Sequence, residues 1–398
     1  MMPINIINIL LFLISPFLAL PTILVGIIKK SKFALTLFIV FIGILSYLYI
    51  PNYSDDKSRY IEIYEDFKSW NYIPFILYNL SNSQDFILQL LFKIASDIGI
   101  KVQIVFFTVT IIAVGLLFNI WSEIVLFLKL NRKEFLISLI LVVTSISFLD
   151  LFSGTRFMLA ASVTLYAYFQ GFFLNKKWIP ILLLLLSINI HFGLLVFAFA
   201  YFFIKFIIHK HYLIKAAFLF SFLFLLLPKD FLISIFSSIG FGGALASKSD
   251  AYIKADKDFV TQGIREGGFG GMMIYLVQNV WIYAMYIYLL FKIKTKQQYH
   301  LIAFLLIAVL NVFYSIPTIY LRYSLFIKMF FVIILILDMQ ASKVKKAPLF
   351  FIGFFICVLI TQIIVTRYNI EKSYMDGDSF LFFDILFKKP MSSGDLIY

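Results

Sequence analysis

A single cysteine, Cys357, among 398 residues rules out an intrachain disulfide framework, and no Cys/His spacing suggests a metal array. Charge is also scarce. Asp, Glu, Lys and Arg make up 14% of the chain, against about 25% in an average soluble domain. There is no soluble-domain composition, no internal repeat and no nucleotide loop. The late glycines follow no strand, which excludes a dinucleotide fingerprint. The first apolar run has no basic n-region before it and carries Pro16 and Pro21 within a span-length stretch, so it reads as a membrane segment, not a cleaved signal.

What the chain does have is apolar and aromatic side chains, 62% and 19% of residues. Runs near the roughly 17–25 residues that cross a bilayer recur from end to end. In lipid such a chain must satisfy its own backbone, so the expected fold is all-α, a polytopic integral membrane protein forming one domain over 1–398. A net charge of +13 could suggest nucleic acid, but its distribution excludes that partner. Half of the basic residues lie in six short clusters: Lys29/Lys30/Lys32, Lys129/Arg132/Lys133, Lys176/Lys177, Lys205/Lys210/Lys215, Lys292/Lys294/Lys296 and Lys343/Lys345/Lys346. These carry the whole positive excess, with only Glu123, Glu134 and Asp338 nearby. That is the positive-inside pattern of membrane topology.

Placing every cluster in the cytoplasm gives spans at about 4–28, 33–50, 102–124, 135–152, 156–174, 213–227, 272–291, 299–316, 320–338 and 347–366. The apolar run from Trp178 to Ile208 would be about 46 Å long as one helix, too long for a roughly 30 Å hydrocarbon core. It is therefore expected to turn near Asn189–Gly193, with His191 sunk below the external surface. Counting both arms gives about twelve hydrophobic segments and places both termini outside. The external segments are 51–101, 228–270 and 367–398. Within the first, Phe86, Ile87, Leu90, Leu91, Ile94 and Ile98 form one apolar stripe over Asp85–Ile98, suited to a helix in the membrane interface. The tail carries an apolar patch, Phe380–Phe387, expected at the membrane surface.

Candidate site residues cluster on the external side. Asp56, Tyr60 and Tyr64, at i, i+4 and i+8, share one helical face. A carboxylate and two phenols suit a sugar ring; an external helix anchored by interfacial tyrosines gives the same pattern. Arg156 opens a span beside Gly154 and is the only basic residue between Lys133 and Lys176. A guanidinium near lipid costs about 2.5–3.5 kcal/mol on insertion scales, and its planar fork fits phosphate oxygens. Arg322 and Lys328 share another inward-going segment. Their counter-charge is either a ligand phosphate or an acid on another helix, such as Asp150. His191 serves either a structural role or that of general base. His209, His211 and His300 read as interface residues. Arg265, in the glycine-rich connection, is either the cation of a closing loop or an ordinary solvated arginine. Cations aimed at a diphosphate can replace a divalent metal, so no metal and no cofactor are expected.

At these residues the sequence resembles the EpsG-like, Wzy-type polymerases of bacterial exopolysaccharide, capsule and O-antigen. The similarity rests on D-x-x-x-Y-x-x-x-Y (Asp56, Tyr60, Tyr64), G-x-R-x-x-x-A (Gly154, Arg156, Ala160), N-I-H-F-G around His191, and Arg322-Tyr323, in order over roughly residues 30–340. Phe157 stands where such proteins often have glutamine, and Gly193 where serine is frequent. The resemblance implies a GT-C-like glycosyltransferase of the bacterial inner membrane with its site facing the periplasm. It would polymerise undecaprenyl-diphosphate-linked oligosaccharide repeat units, with membrane lipid and a chain-length regulator as further partners. On that reading Arg156 and Arg322 hold the diphosphate and His191 activates the acceptor hydroxyl. Asp56, Tyr60, Tyr64, Arg265, Lys328 and Tyr323 bind substrate. The competing readings are a flippase or transporter of lipid-linked sugars, and another extracytoplasmic transferase such as a polysaccharide ligase.

Overall fold

The computed structural model describes residues 2–53, 55–82, 86–228, 268–341 and 346–397. Arg265, Asp85, Lys343, Lys345 and nearly all of the 228–270 connection lie outside these residues. Among the described residues the chain is helical, with one isolated bridge, Asn52 to Ile397, and no strand. Four helices are long and apolar enough to cross a membrane: α7 (Val102–Leu128), α14 (Gly268–Phe291), α16 (Pro317–Ala341) and α17 (Ala347–Val365). Shorter apolar helices complete the bundle: α1 (Met2–Ile14), α2 (Pro16–Ile28), α3 (Lys32–Leu48), α11 (Trp178–Ile190), α12 (Leu195–Ile207), α13 (His211–Ser221) and α15 (Gln298–Val312). Two further helices, α8 (Arg132–Ser145) and α10 (Thr155–Tyr168), pack among them, α10 ending in a π turn over Phe169–Phe173.

Side-chain contacts define two ends of the bundle. At one end Lys30 Nζ donates to the Leu130 carbonyl, Gln340 to the Leu128 carbonyl, and Lys292 pairs with Asp338. Lys205 Nζ donates to the Gly171 carbonyl at 2.8 Å, beside Lys176 and Lys177. The basic clusters that belong to described residues thus gather at one end. His300 differs from its expected place at an interface. It is 2% exposed and its Nε2 lies 3.0 Å from Asp338, which also receives Tyr288 and Tyr299. A carboxylate this deep needs several donors to offset its lost hydration.

The run from Trp178 to Ile208 does reverse direction. Ile190 ends α11, His191 is extended (φ −148°, ψ 108°), and a 3-10 turn over Phe192–Leu194 leads into α12. Only residues 174–177, with Lys176 and Lys177, separate Phe173 from the start of α11, and Lys205 near the end of α12 reaches Gly171, so both outer ends meet at the basic end. Each 13-residue arm is about 20 Å long, shorter than a roughly 30 Å hydrocarbon core. The first apolar run departs from the expected single span. Ser15 is extended (φ −153°, ψ 124°) ahead of Pro16, and α1 folds back along α2. Ser31 donates to Asn5, and Gly26 lies against Asn8, so the start of α1 sits at the basic end and not at the opposite one. Proline disfavours helical backbone in the residue before it, which is why the chain turns there.

Gly171 is a position where the packing tolerates no side chain. A Cβ there would lie 2.0 Å from the Tyr201 hydroxyl oxygen. Gly171→Ala is expected to lower stability by about 1–3 kcal/mol, the usual cost of overpacking, with partial recovery when Tyr201→Phe is added. Melting temperatures of the two variants in detergent or nanodiscs test this.

Candidate active site

The end opposite the basic clusters is built around α4 (Asp56–Asp66), which holds the acidic-aromatic face read from the sequence. Lys57 fixes the start of α4. It is fully buried, donates to the carbonyls of Ser46 (2.7 Å) and Tyr49 (2.9 Å), and lies over the rings of Phe106 and Tyr49. The sequence S-D-D-K-S-R reads as solvated, so nothing in it signals this anchor. Burial pushes Lys57 down to about 7, with the Asp55 charge working in the other direction. An unfolded lysine keeps its proton up to about 10.4. Between these values the unfolded chain binds the extra proton, so stability is expected to rise with pH from about 7 toward 10 and to be flat below 7 for this group. Melting curves at pH 7 and pH 10 test it, and Lys57→Met should flatten that slope.

From α4 the three signature residues reach different neighbours. Asp56 Oδ2 lies 3.3 Å from Arg322 Nη2, on α16, with both side chains partly exposed at the rim. Tyr60 is 5% exposed, stacks on Phe92 and lies with its ring 5.7 Å from the Arg156 guanidinium. Tyr64, also buried, donates its hydroxyl to the Ile100 carbonyl at 2.5 Å. The i, i+4 spacing therefore places Arg322 and Arg156 about one helical turn apart along α4. Tyr64, a turn further, braces α4 to the chain before α7.

The second half of the ring comes from α10, the hairpin turn and α16. Arg156 begins α10, and the next residue, Phe157, meets the His191 ring edge-on at 5.3 Å and 88°. His191 is 8% exposed, and its Nδ1 accepts the Gly193 N–H at 3.1 Å. The Gly193 carbonyl in turn accepts the Tyr323 hydroxyl at 2.9 Å, and Tyr323 adjoins Arg322. The contacts close a circuit: Asp56, Arg322, Tyr323, Gly193, His191, Phe157, Arg156, Tyr60 and back along α4. Arg156, His191 and Arg322 thus come together at one end of the bundle, from three segments far apart in sequence.

Not every candidate lines this rim. Lys328 sits two turns deeper on α16, 2% exposed, over the rings of Trp281 and Phe355. Its counter-charge is supplied by the protein. Asp150, in the short helix α9 (Phe148–Ser153), lies within electrostatic reach of Lys328 and Arg322. Ser147 donates to Asp150 and accepts from Gln362 Nε2, tying α17 into the same network. Tyr323 spends its hydroxyl on the Gly193 carbonyl, which makes it a brace of the hairpin turn. Arg265 lies outside the described residues. Among the described residues no group of three His, Cys, Asp or Glu side chains is placed to hold a metal ion.

Sequence reasoning gave no role to the C-terminal segment at this end. The helices α18 (Arg367–Tyr374) and α19 (Phe382–Phe387) cross back over this end of the bundle. Ser373 accepts the Ile50 N–H, Asn369 donates to the Ile50 carbonyl, and half-buried Tyr374 donates to the Leu45 carbonyl. Ile397 bonds the backbone of Pro51 and Tyr53, and Ser393 bonds Glu65 on α4. Phe380 and Phe382 pack on Phe17 and Phe12 at the tip of the α1–α2 hairpin. In α6 (Ile87–Asp97), Leu88, Phe92 and Ala95 face inward, while Leu91 and Ile94 of the expected stripe point outward.

No curated protein and no solved structure matches the chain. The model of the EpsG family matches residues 32–376, most of the chain and all of the circuit above. The chain belongs to the EpsG family, a Wzy-like polysaccharide polymerase family.

Proposed function

We propose that this EpsG-family chain is a membrane glycosyltransferase that joins undecaprenyl-diphosphate-linked oligosaccharide repeat units into exopolysaccharide, capsule or O-antigen. The observation that carries this reading is the circuit at one end of the bundle, where Arg156 and Arg322 flank the turn that presents His191. Two guanidiniums at one rim suit a diphosphate, whose charge grows as the sugar–oxygen bond breaks. Asp56 holds Arg322 in place before substrate arrives, and Tyr60 holds Arg156 by its ring face. Lys328, with Asp150 within electrostatic reach, keeps a buried cation one to two turns below Arg322 on the same helix.

We read the architecture as GT-C-like and the site end as periplasmic, because the basic clusters occupy the other end and the positive-inside rule assigns that end to the cytoplasm. We expect about twelve hydrophobic segments, the first of them divided into two helices by the fold-back at Ser15. Short hairpins and a polar rim below the surface suit a pocket that receives a lipid-borne headgroup, since irregular backbone at depth is tolerated only where it faces protein or water.

The test is purified protein in nanodiscs given synthetic lipid-diphosphate repeat units. A ladder of glycan lengths is the expected product, unchanged by excess chelator, because the arginines supply the charge that a metal would. Single additions would point to a ligase. Absence of any transfer, together with substrate movement across vesicles, would point to a transporter.

A further inference from the structure

The His191 ring reports where its proton sits. Its Nδ1 accepts the Gly193 N–H at 3.1 Å. Accepting that bond requires a lone pair on Nδ1, so the neutral imidazole carries its one proton on Nε2. The turn enforces this. Extended backbone at His191 lets its side chain cap the 3-10 turn over Phe192–Leu194. The Tyr323 hydroxyl pins the same turn through the Gly193 carbonyl at 2.9 Å. Phe157, adjoining Arg156, holds the ring edge-on. A general base needs its lone pair on the nitrogen that meets the substrate, and here the lone pair is committed to the turn.

Resting on the polymerase reading, we propose that His191 acts as a hydrogen-bond donor through Nε2–H to an oxygen of the departing lipid diphosphate, and not as the base that activates the acceptor. The direction of the hydrogen bond is thus opposite to the one expected from the sequence. In the transfer the acceptor hydroxyl oxygen bonds to the anomeric carbon, and the bond from that carbon to the diphosphate oxygen breaks. The electron pair leaves with the diphosphate, which takes up the acceptor's proton on one of its own oxygens. His191 keeps its proton throughout, and Arg156 and Arg322 share the charge. Tyr323 and Gly193 are positioning residues for this donor.

The test compares wild type with His191→Gln, His191→Asn and His191→Ala in nanodiscs, on synthetic lipid-diphosphate repeat units. A glutamine amide nitrogen reaches the place of Nε2 and donates there, but it cannot accept a proton. His191→Gln is expected to keep kcat within about tenfold of wild type, whereas the other two fall about 100–1,000-fold, as when one oxyanion donor is removed. His191→Gln falling as far as His191→Ala while melting like wild type would overturn the proposal. If His191→Gln melts early, nitrogen NMR of histidine-labelled wild type decides. A proton on Nε2 at neutral pH supports the proposal, and one on Nδ1 overturns it. Wild type that makes no polymer sinks the polymerase reading itself, an outcome separate from either result on the tautomer.

Discussion

Arg156→Ala and Arg322→Ala are each expected to reduce polymer formation by about 100-fold or more, with membrane insertion and melting temperature close to wild type. Both side chains sit at the rim and are only partly buried, so truncation removes charge without opening the core. The harder question is whether Arg322 contacts substrate or merely pairs with Asp56. If it only pairs, Asp56→Asn should be as damaging as Arg322→Ala. If it holds a diphosphate, Asp56→Asn should lose about tenfold or less, because an ion pair between partly exposed groups contributes only about 0–1 kcal/mol. Lysine at either position is expected to restore little, since it offers a point charge in place of a two-pronged fork. Combining the two alanine substitutions should cost less than the product of the single effects, because both act on one leaving group. The readout is glycan ladder length and initial rate on synthetic lipid-diphosphate units. Full-length ladders from both single variants would remove the arginines from the mechanism.

Removing residues 367–398 is expected to abolish polymer formation and to lower the melting temperature by several degrees. The strap supplies partners to the backbone just before α4: Ser373 and Asn369 to Ile50, Tyr374 to the Leu45 carbonyl, Ile397 to Pro51 and Tyr53. Each buried backbone group left without a partner costs about 1–3 kcal/mol. Several lost together would release the segment that carries Asp56 and Tyr60. A milder variant separates clamp from site. Tyr374→Phe removes one hydrogen bond to the half-buried Leu45 carbonyl and should lower stability measurably while leaving the arginines in place. If the truncated protein polymerises normally, the strap has no part in positioning α4.

Much of the architecture was legible in the sequence because membrane physics leaves few options. Apolar runs of span length had to be helices, and clustered lysines had to share one side. The length of the Trp178–Ile208 run required a reversal, and the turn falls at His191, where the amide- and glycine-containing N-I-H-F-G allows it. The fold-back at Ser15 was visible in principle through Pro16, but a 25-residue apolar run satisfies the same length rule as one span. For the site, the spacing of Asp56 and Tyr60 mattered most. Two positions one helical turn apart on α4 receive two arginines from separate helices.

The sequence by itself determined the helical membrane fold, the common end of the basic clusters, and which few ionisable groups stood isolated among apolar neighbours. It could do so because the bilayer penalises charge and unpaired backbone through local terms that each segment feels alone. Only the tertiary structure decided which partner each isolated charge found: Asp56 for Arg322, Asp150 for Lys328, two carbonyls and two rings for Lys57, and Gly193 for the Nδ1 of His191. The Asp56–Arg322 and Asp150–Lys328 interactions depend on distances between segments remote in sequence, and electrostatic energies fall off over a few ångströms, so nothing local in the chain encodes them. The carbonyl contacts of Lys57 and the His191–Gly193 contact are near in sequence and needed the backbone turns that the fold sets.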